Sequence, residues 1–196
     1  MTDEPADQPE GADDRRREAS RDTVLGFLMV IYAAISLAAG LAHAIGPRAI
    51  RVKLVELGVD PAAIVVPPSI MEQATWSAIS GTALAIMLAV GAFGLFASAG
   101  WARTVIRWWA VLALLQTLIL LFAAYVSIDG AAEFQYQVQE LQREALVAAG
   151  EEIPPGFLDR TPDEIRDGGA RRLATVGFLP MIVPGLSLLI FRRTGR

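Results

Sequence analysis

The sequence predicts an all-α integral membrane protein, a bundle of four transmembrane helices with a helical extramembrane connection between the third and fourth spans. Three observations carry that expectation. Hydrophobic residues make up 54% of the 196. The mean hydropathy is positive, at +0.44. The charged residues, 19% of the chain, gather into patches that leave long uncharged runs between them. An ionised side chain at mid-bilayer costs at least ~2.5–3.5 kcal/mol, so a chain that crosses hydrocarbon keeps its charges out of the crossings.

A helix needs ~20 apolar residues to span ~30 Å of hydrocarbon. The first charge-free run lies between Asp22 and Arg48 and predicts a span over 23–46. Glu72 and Arg103 flank the second run, with a span over 73–99. The third lies between Arg107 and Asp129, with a span over 104–128, and the fourth between Arg172 and Arg192, with a span over 173–191. The last run is 19 residues long, just enough at a rise of ~1.5 Å per residue. A soluble domain would need four helices apolar around their whole circumference, which disfavours that alternative.

Local signals mark the ends. Gly46 and Pro47 are expected to close the first span. Ser69 and Glu72 have the spacing of a capping box just after Pro67 and Pro68, and Thr161, Pro162 and Glu164 repeat it. The second box starts a helix that runs past Gly168 and Gly169 into the fourth span. Within the 47–72 connection, Arg48 to Leu57 reads as a short helix ended by Gly58, and Asp60 and Pro61 start a further turn. Ile50, Leu54 and Leu57 share one face, which fits a segment lying at the membrane interface as well as one packed on the bundle.

The 129–172 connection has structure of its own. Phe134, Val138, Leu141, Ala145 and Ala148 recur at alternating spacings of four and three, the stripe of an amphipathic helix. Its other faces are acidic and Arg143 is its lone cation, so packing on a protein helix is favoured over anionic lipid. The expected packing partners are the helix from Thr161 or another protein. Gly150, Pro154, Pro155 and Gly156 then form a break. Residues 1–22 are charged and lack aromatics, the composition of a disordered arm. Arg15, Arg16 and Arg17 precede an apolar run longer than the ~7–15 residues of an export signal, so a twin-arginine signal is discounted.

Four spans put both termini on one side. Arg15, Arg16, Arg17 and Arg21 sit directly before the first span, and long loops such as 129–172 count little toward orientation, so the termini are expected in the cytoplasm. Trp101, Trp108 and Trp109 would mark that interface and Tyr125 the outer one. Lys53 is the lone lysine among 17 basic residues, a bias that reads as high-GC bacterial coding and points to a bacterial inner membrane.

The chemical inventory is sparse. The chain has no cysteine and one histidine, His43, which excludes thiolate chemistry and any multi-histidine metal site within one subunit. His43 is a candidate haem ligand only with a methionine or across a dimer, and an interfacial histidine bonded to a loop or water is the commoner case. Gln116 and Thr117 form the deepest polar pair, better read as interhelical hydrogen bonding than as a substrate path. Ser36, Gly40 and Ala44, with Ser77, Gly81, Ala85 and Ala89, make small-residue stripes expected to pack the first two helices together or to form a dimer. Pro180, Pro184 and Gly185 are expected to kink the fourth helix. No Asp, Glu, Lys or Arg falls inside the four charge-free runs, and no phosphate-binding, zinc-protease or nucleophile-elbow motif is present. The acidic total of −4 gives no support to nucleic-acid binding.

These features lead to an expectation of a non-enzymatic scaffold or accessory subunit, without cofactor or metal. Its partners would be the bilayer and either a second copy or another membrane protein. A small oligomeric carrier or channel using Gln116 and Thr117 is the alternative, and a haem- or quinone-binding redox subunit using His43 a second.

Overall fold

The computed structural model describes residues 12–153, 157 and 160–192, and contains no strand among them. Its helices are α1 (Ala12–Glu56), α2 (Pro68–Phe96), α3 (Ala102–Val126), α4 (Ile128–Ala148), α5 (Pro162–Val176) and α6 (Ile182–Arg192). Single 3-10 turns cover Pro61–Ala63 and Leu179–Met181. Four helical units are long and apolar enough to cross a membrane: α1 from Ala19 onward, α2, α3, and the broken α5–α6 unit up to Phe191. The predicted fold class is therefore the observed one, a multi-pass helical membrane bundle.

Helix ends follow from local chemistry. Gly58 at φ +87° ends α1, with Val59 N–H donating to Leu54 O and Gly58 N–H to Val55 O. The same paired bonds end α4 at Gly150, where φ is +73°. This arrangement needs one residue in the left-handed region, which glycine enters without a Cβ penalty. At the end of α2 the residue in that position is Ser98, at φ +54°. Thr161 and Glu164 complete their capping box, at 3.3 Å and 2.9 Å, and α5 runs without interruption through Gly168 and Gly169. The Ser69–Glu72 box does not form. Pro68 takes the first helical position and Pro67 the cap, so Ser69 already lies inside the helix, too far along to cap it.

Two expected boundaries move. Residues 12–22 of the arm expected to be disordered are helical, and residues 1–11 lie outside the described part. At the other end of the first span, Gly46 and Pro47 do not stop α1, which continues to Glu56 with Pro47 inside it. A proline there removes one backbone bond. Packing beyond it compensates: Leu54 is fully buried with Val59 and Ile64, and Val138, Leu141 and Ala145 of α4 pack against them. The α4 stripe is thus covered by the end of α1, while α5 also lies along α4. Of the expected 150–156 break, Gly150 is described and the prolines and Gly156 are not.

In the fourth unit the break falls at Gly177–Met181, around Pro180. Pro184 and Gly185, expected to interrupt the helix as well, lie within α6. Pro184 is the third residue of α6, where the backbone N–H would have no intrahelical partner, so proline costs nothing there.

Within the bundle α1 packs along α2, α2 along α3, and α3 along α6. The main core combines Met29 and Ala33 of α1, Leu88, Ala92 and Leu95 of α2, Ile106, Trp109 and Ala110 of α3, and Phe191 of α6. All of these lie toward the end that carries the 97–101 turn. Lipid tails are as apolar as leucine, so helices there gain from close packing rather than from leaving water. Glycines supply that closeness. A Cβ on Gly26 would come within 2.9 Å of the Phe96 ring, and one on Gly94 within 2.8 Å of Ala102 Cβ.

Polar contacts hold the same end. Arg103 Nη2 donates to Asp22 Oδ2 at 2.9 Å, tying α3 to α1. Arg107 Nη2 donates to the Phe191 carbonyl in the last turn of α6, where a cation also complements the helix dipole. These contacts gather the start of the first span, the 97–101 turn and the end of α6 at one end of the molecule.

Candidate functional site: a cavity between splayed helices

Away from that clamped end the helices part. A cavity of about 1000 Å³ opens between α1, α2 and α3, with Phe134 of α4 and Leu173 and Pro180 of the fourth unit at its edge. Along α2 it extends from Ile70 to Leu88, a length of about 27 Å at the helical rise. The space is elongated, and its volume is at the top of the ~300–1,000 Å³ typical of small-molecule sites.

Small side chains make the room. Ser36 and Gly40 on α1, and Ser77, Gly81 and Ala85 on α2, line the cavity, whereas Ala44 and Ala89 do not. Gly40 and Gly81 would each accept a Cβ at ordinary contact distance, 3.9 Å from the nearest atom. The stripes therefore border the cavity on one side while α1 still packs along α2, a Cβ on Gly40 meeting the Ala78 carbonyl of α2 at 3.9 Å. The close approaches fall instead at Gly26, Gly91 and Gly94, where an added Cβ would come within 2.9, 2.7 and 2.7 Å of a neighbouring side chain. Gly91 and Gly94 are three apart, a spacing that a search for residues four apart passes over.

The floor is Trp109, buried at 2% exposure, with the Tyr32 ring edge-on at 5.9 Å. Trp109 had been expected at the membrane interface with Trp101 and Trp108. The latter two are exposed, but Trp109 is one residue round the helix and points into the bundle.

Polar groups punctuate the walls. Gln116 Nε2 donates to Ser80 Oγ at 2.6 Å, and Ser80 Oγ donates to Trp76 O at 2.6 Å, a relay that joins α3 to α2. Thr117 bonds within its own helix, to Ala113 O at 2.8 Å. Gln73 Oε1 accepts from Ser127 Oγ at 3.2 Å, where α3 passes into α4. His43 stands at the mouth, exposed, with Nδ1 2.8 Å from Ala39 O. Since a carbonyl only accepts, Nδ1 is the donor of that bond. One turn further on, Pro47 has no N–H to return to the His43 carbonyl.

Two properties of this lining limit its chemistry. No Asp, Glu, Lys or Arg side chain borders the cavity among the described residues. No methionine lines it beside His43 either, so the histidine–methionine pair that one chain might offer a haem is not assembled there. Elsewhere among the described residues, no three His, Asp or Glu side chains come together as a metal site. Searches of protein-family models, curated proteins and solved structures find no match to this chain.

Proposed function

We propose that this chain is a non-enzymatic binding protein of the bacterial inner membrane, an accessory subunit whose splayed helices hold an apolar molecule taken from the bilayer. The cavity carries the reading: it is elongated, bordered by three helices and closed at one end by the packed core around Trp109. A closed floor suits holding better than conduction. Gln116 through Nε2 and Thr117 through its hydroxyl bond to the protein's own helices, which fits a wall rather than a catalytic centre. The arginines before the first span favour both termini in the cytoplasm, with α4 and the start of α5 on the opposite side.

Gentle-detergent purification tests this, with organic extraction and mass spectrometry of the same sample. The expected result is one apolar compound retained per chain in the wild type and lost from Gly81→Leu, which fills the cavity from α2. Retention of nothing beyond detergent, in wild type and variant alike, would end the proposal.

A further inference from the structure

Resting on that reading of the cavity, we infer that its occupant is an uncharged amphipath: a lipid-like molecule whose acyl chains lie toward Trp109 and whose un-ionised, hydroxyl- or ester-bearing head lies between Gln73, Ser77 and His43. Three features converge on this class. The first is shape, since an elongated space of about 1000 Å³ that runs about 27 Å along α2 accepts extended chains. The second is charge. Among the described residues no Asp, Glu, Lys or Arg lines the cavity, so an ionised head would be desolvated without a counter-charge, which hydrocarbon penalises heavily.

The third is the distribution of unused polar atoms. Gln73 Nε2 and Ser77 Oγ toward the mouth, and Gln116 Oε1 at mid-length, have no hydrogen-bond partner among the described residues, although the opposite ends of Gln73 and Gln116 are engaged. The His43 ring, held by its Nδ1 alone, lines the same region, and Pro47 withholds the N–H that would normally bond the His43 carbonyl. Donors and acceptors are thus mixed, as a hydroxyl beside an ester requires. Toward the floor the lining turns to Leu84, Ala85, Leu88 and Ala113, which offer a chain only van der Waals contact.

Trp109 supplies the reporter, because bromine on an acyl chain quenches an indole only at contact. In a variant with Trp76, Trp101 and Trp108 replaced by Phe, fluorescence comes from the cavity floor alone. Diacylglycerol brominated near the chain ends, added to dodecylmaltoside micelles, is expected to quench Trp109 saturably and by more than half. Phosphatidylglycerol with the same chains is expected to quench it less than one-tenth as well. Gln73→Leu with Ser77→Val is expected to weaken diacylglycerol binding about tenfold with an unchanged far-UV circular dichroism spectrum. If both lipids quench equally and saturably, the cavity binds chains but the uncharged-head inference is wrong. Quenching by neither overturns the binding reading itself. Diacylglycerol quenching unchanged in the double variant overturns the placement of the head. A photoactivatable diacylglycerol on the wild-type protein gives the check that needs no tryptophan substitutions: cross-links are expected at the cavity-lining Gly40, His43, Gln73, Ser77 and Gly81, and cross-links confined to lipid-facing positions such as Ile79 or Phe122 would overturn the inference.

Discussion

Replacing Gly94 and Gly81 by alanine, one at a time, separates the closed end of the bundle from the open one. A Cβ on Gly94 would stand 2.8 Å from Ala102 Cβ and 2.7 Å from the Trp101 ring. Carbon atoms are at ease at ~3.5–4.0 Å, so α2 and α3 would have to part by roughly 0.7 Å or more. Ala102 Cβ is fixed to the backbone and cannot swing aside. Overpacking of this kind costs ~1–3 kcal/mol. Against it stands the helix preference for alanine over glycine, up to ~1 kcal/mol. Gly94→Ala should therefore lose about 1 kcal/mol net. At Gly81 the added carbon finds its nearest neighbour, Gln116 Nε2, at 3.9 Å. Only the propensity term acts there, and the variant should gain up to ~1 kcal/mol. The difference between the two isolates the contact, because the propensity terms largely cancel. Reversible unfolding in mixed dodecylmaltoside and dodecyl sulfate micelles, followed by circular dichroism, measures both. If Gly94→Ala proves as stable as Gly81→Ala, the close approach of α2 and α3 is wrong.

Three further outcomes follow from the same geometry. Reversing either charge of the Asp22–Arg103 pair should cost about 1 kcal/mol in the same unfolding assay, and the double reversal should recover most of it; no recovery would mean the pair does not tie α1 to α3. Ser98→Gly should stabilise by about 0.5–1 kcal/mol, since it relieves a left-handed non-glycine residue; a loss would argue against the φ of +54°. Leu54→Ala should cost about 2–5 kcal/mol locally and raise hydrogen exchange along α4 at Val138 to Ala145, while leaving α2 and α3 protected; uniform exchange would show that α4 does not rest on α1.

The spans were legible because hydrocarbon imposes one rule, absence of charge over about twenty residues, and that rule is written residue by residue. The α4 stripe was legible for a similar reason, being a periodicity within one helix. Its partner was not, because the covering residues Leu54, Val59 and Ile64 lie some eighty positions earlier, and nothing local announces a contact at that distance. Pro47 misled for a related reason: the intrinsic penalty is local, whereas the packing that outweighs it is not. The small-residue stripes show the sharpest limit. Ser36, Gly40, Ser77 and Gly81 permit either a close helix pair or a gap, and side-chain size alone does not distinguish them. What decides is the clamp at the other end, where Gly26, Gly91 and Gly94 and the Asp22–Arg103 pair draw the helices together and leave them free to diverge beyond. His43 and Gln116 were visible as unusual residues in the sequence, but their shared cavity exists only once three helices are placed.

The divergence of the helices is the claim on which the functional reading stands, and spin-label mobility along α2 tests it most directly. The chain has no cysteine, so each introduced thiol is labelled alone. Nitroxides would be placed at Ser77 and Gly81 on the cavity face, at Ile79 on the exposed face and at Ala92 in the core, in delipidated detergent. A splayed bundle predicts lines at 77 and 81 nearly as narrow as at 79, and strong immobilisation at 92 only. Immobilisation at 77 and 81 equal to that at 92 would show helices packed along their full length, and would remove the cavity together with the function assigned to it.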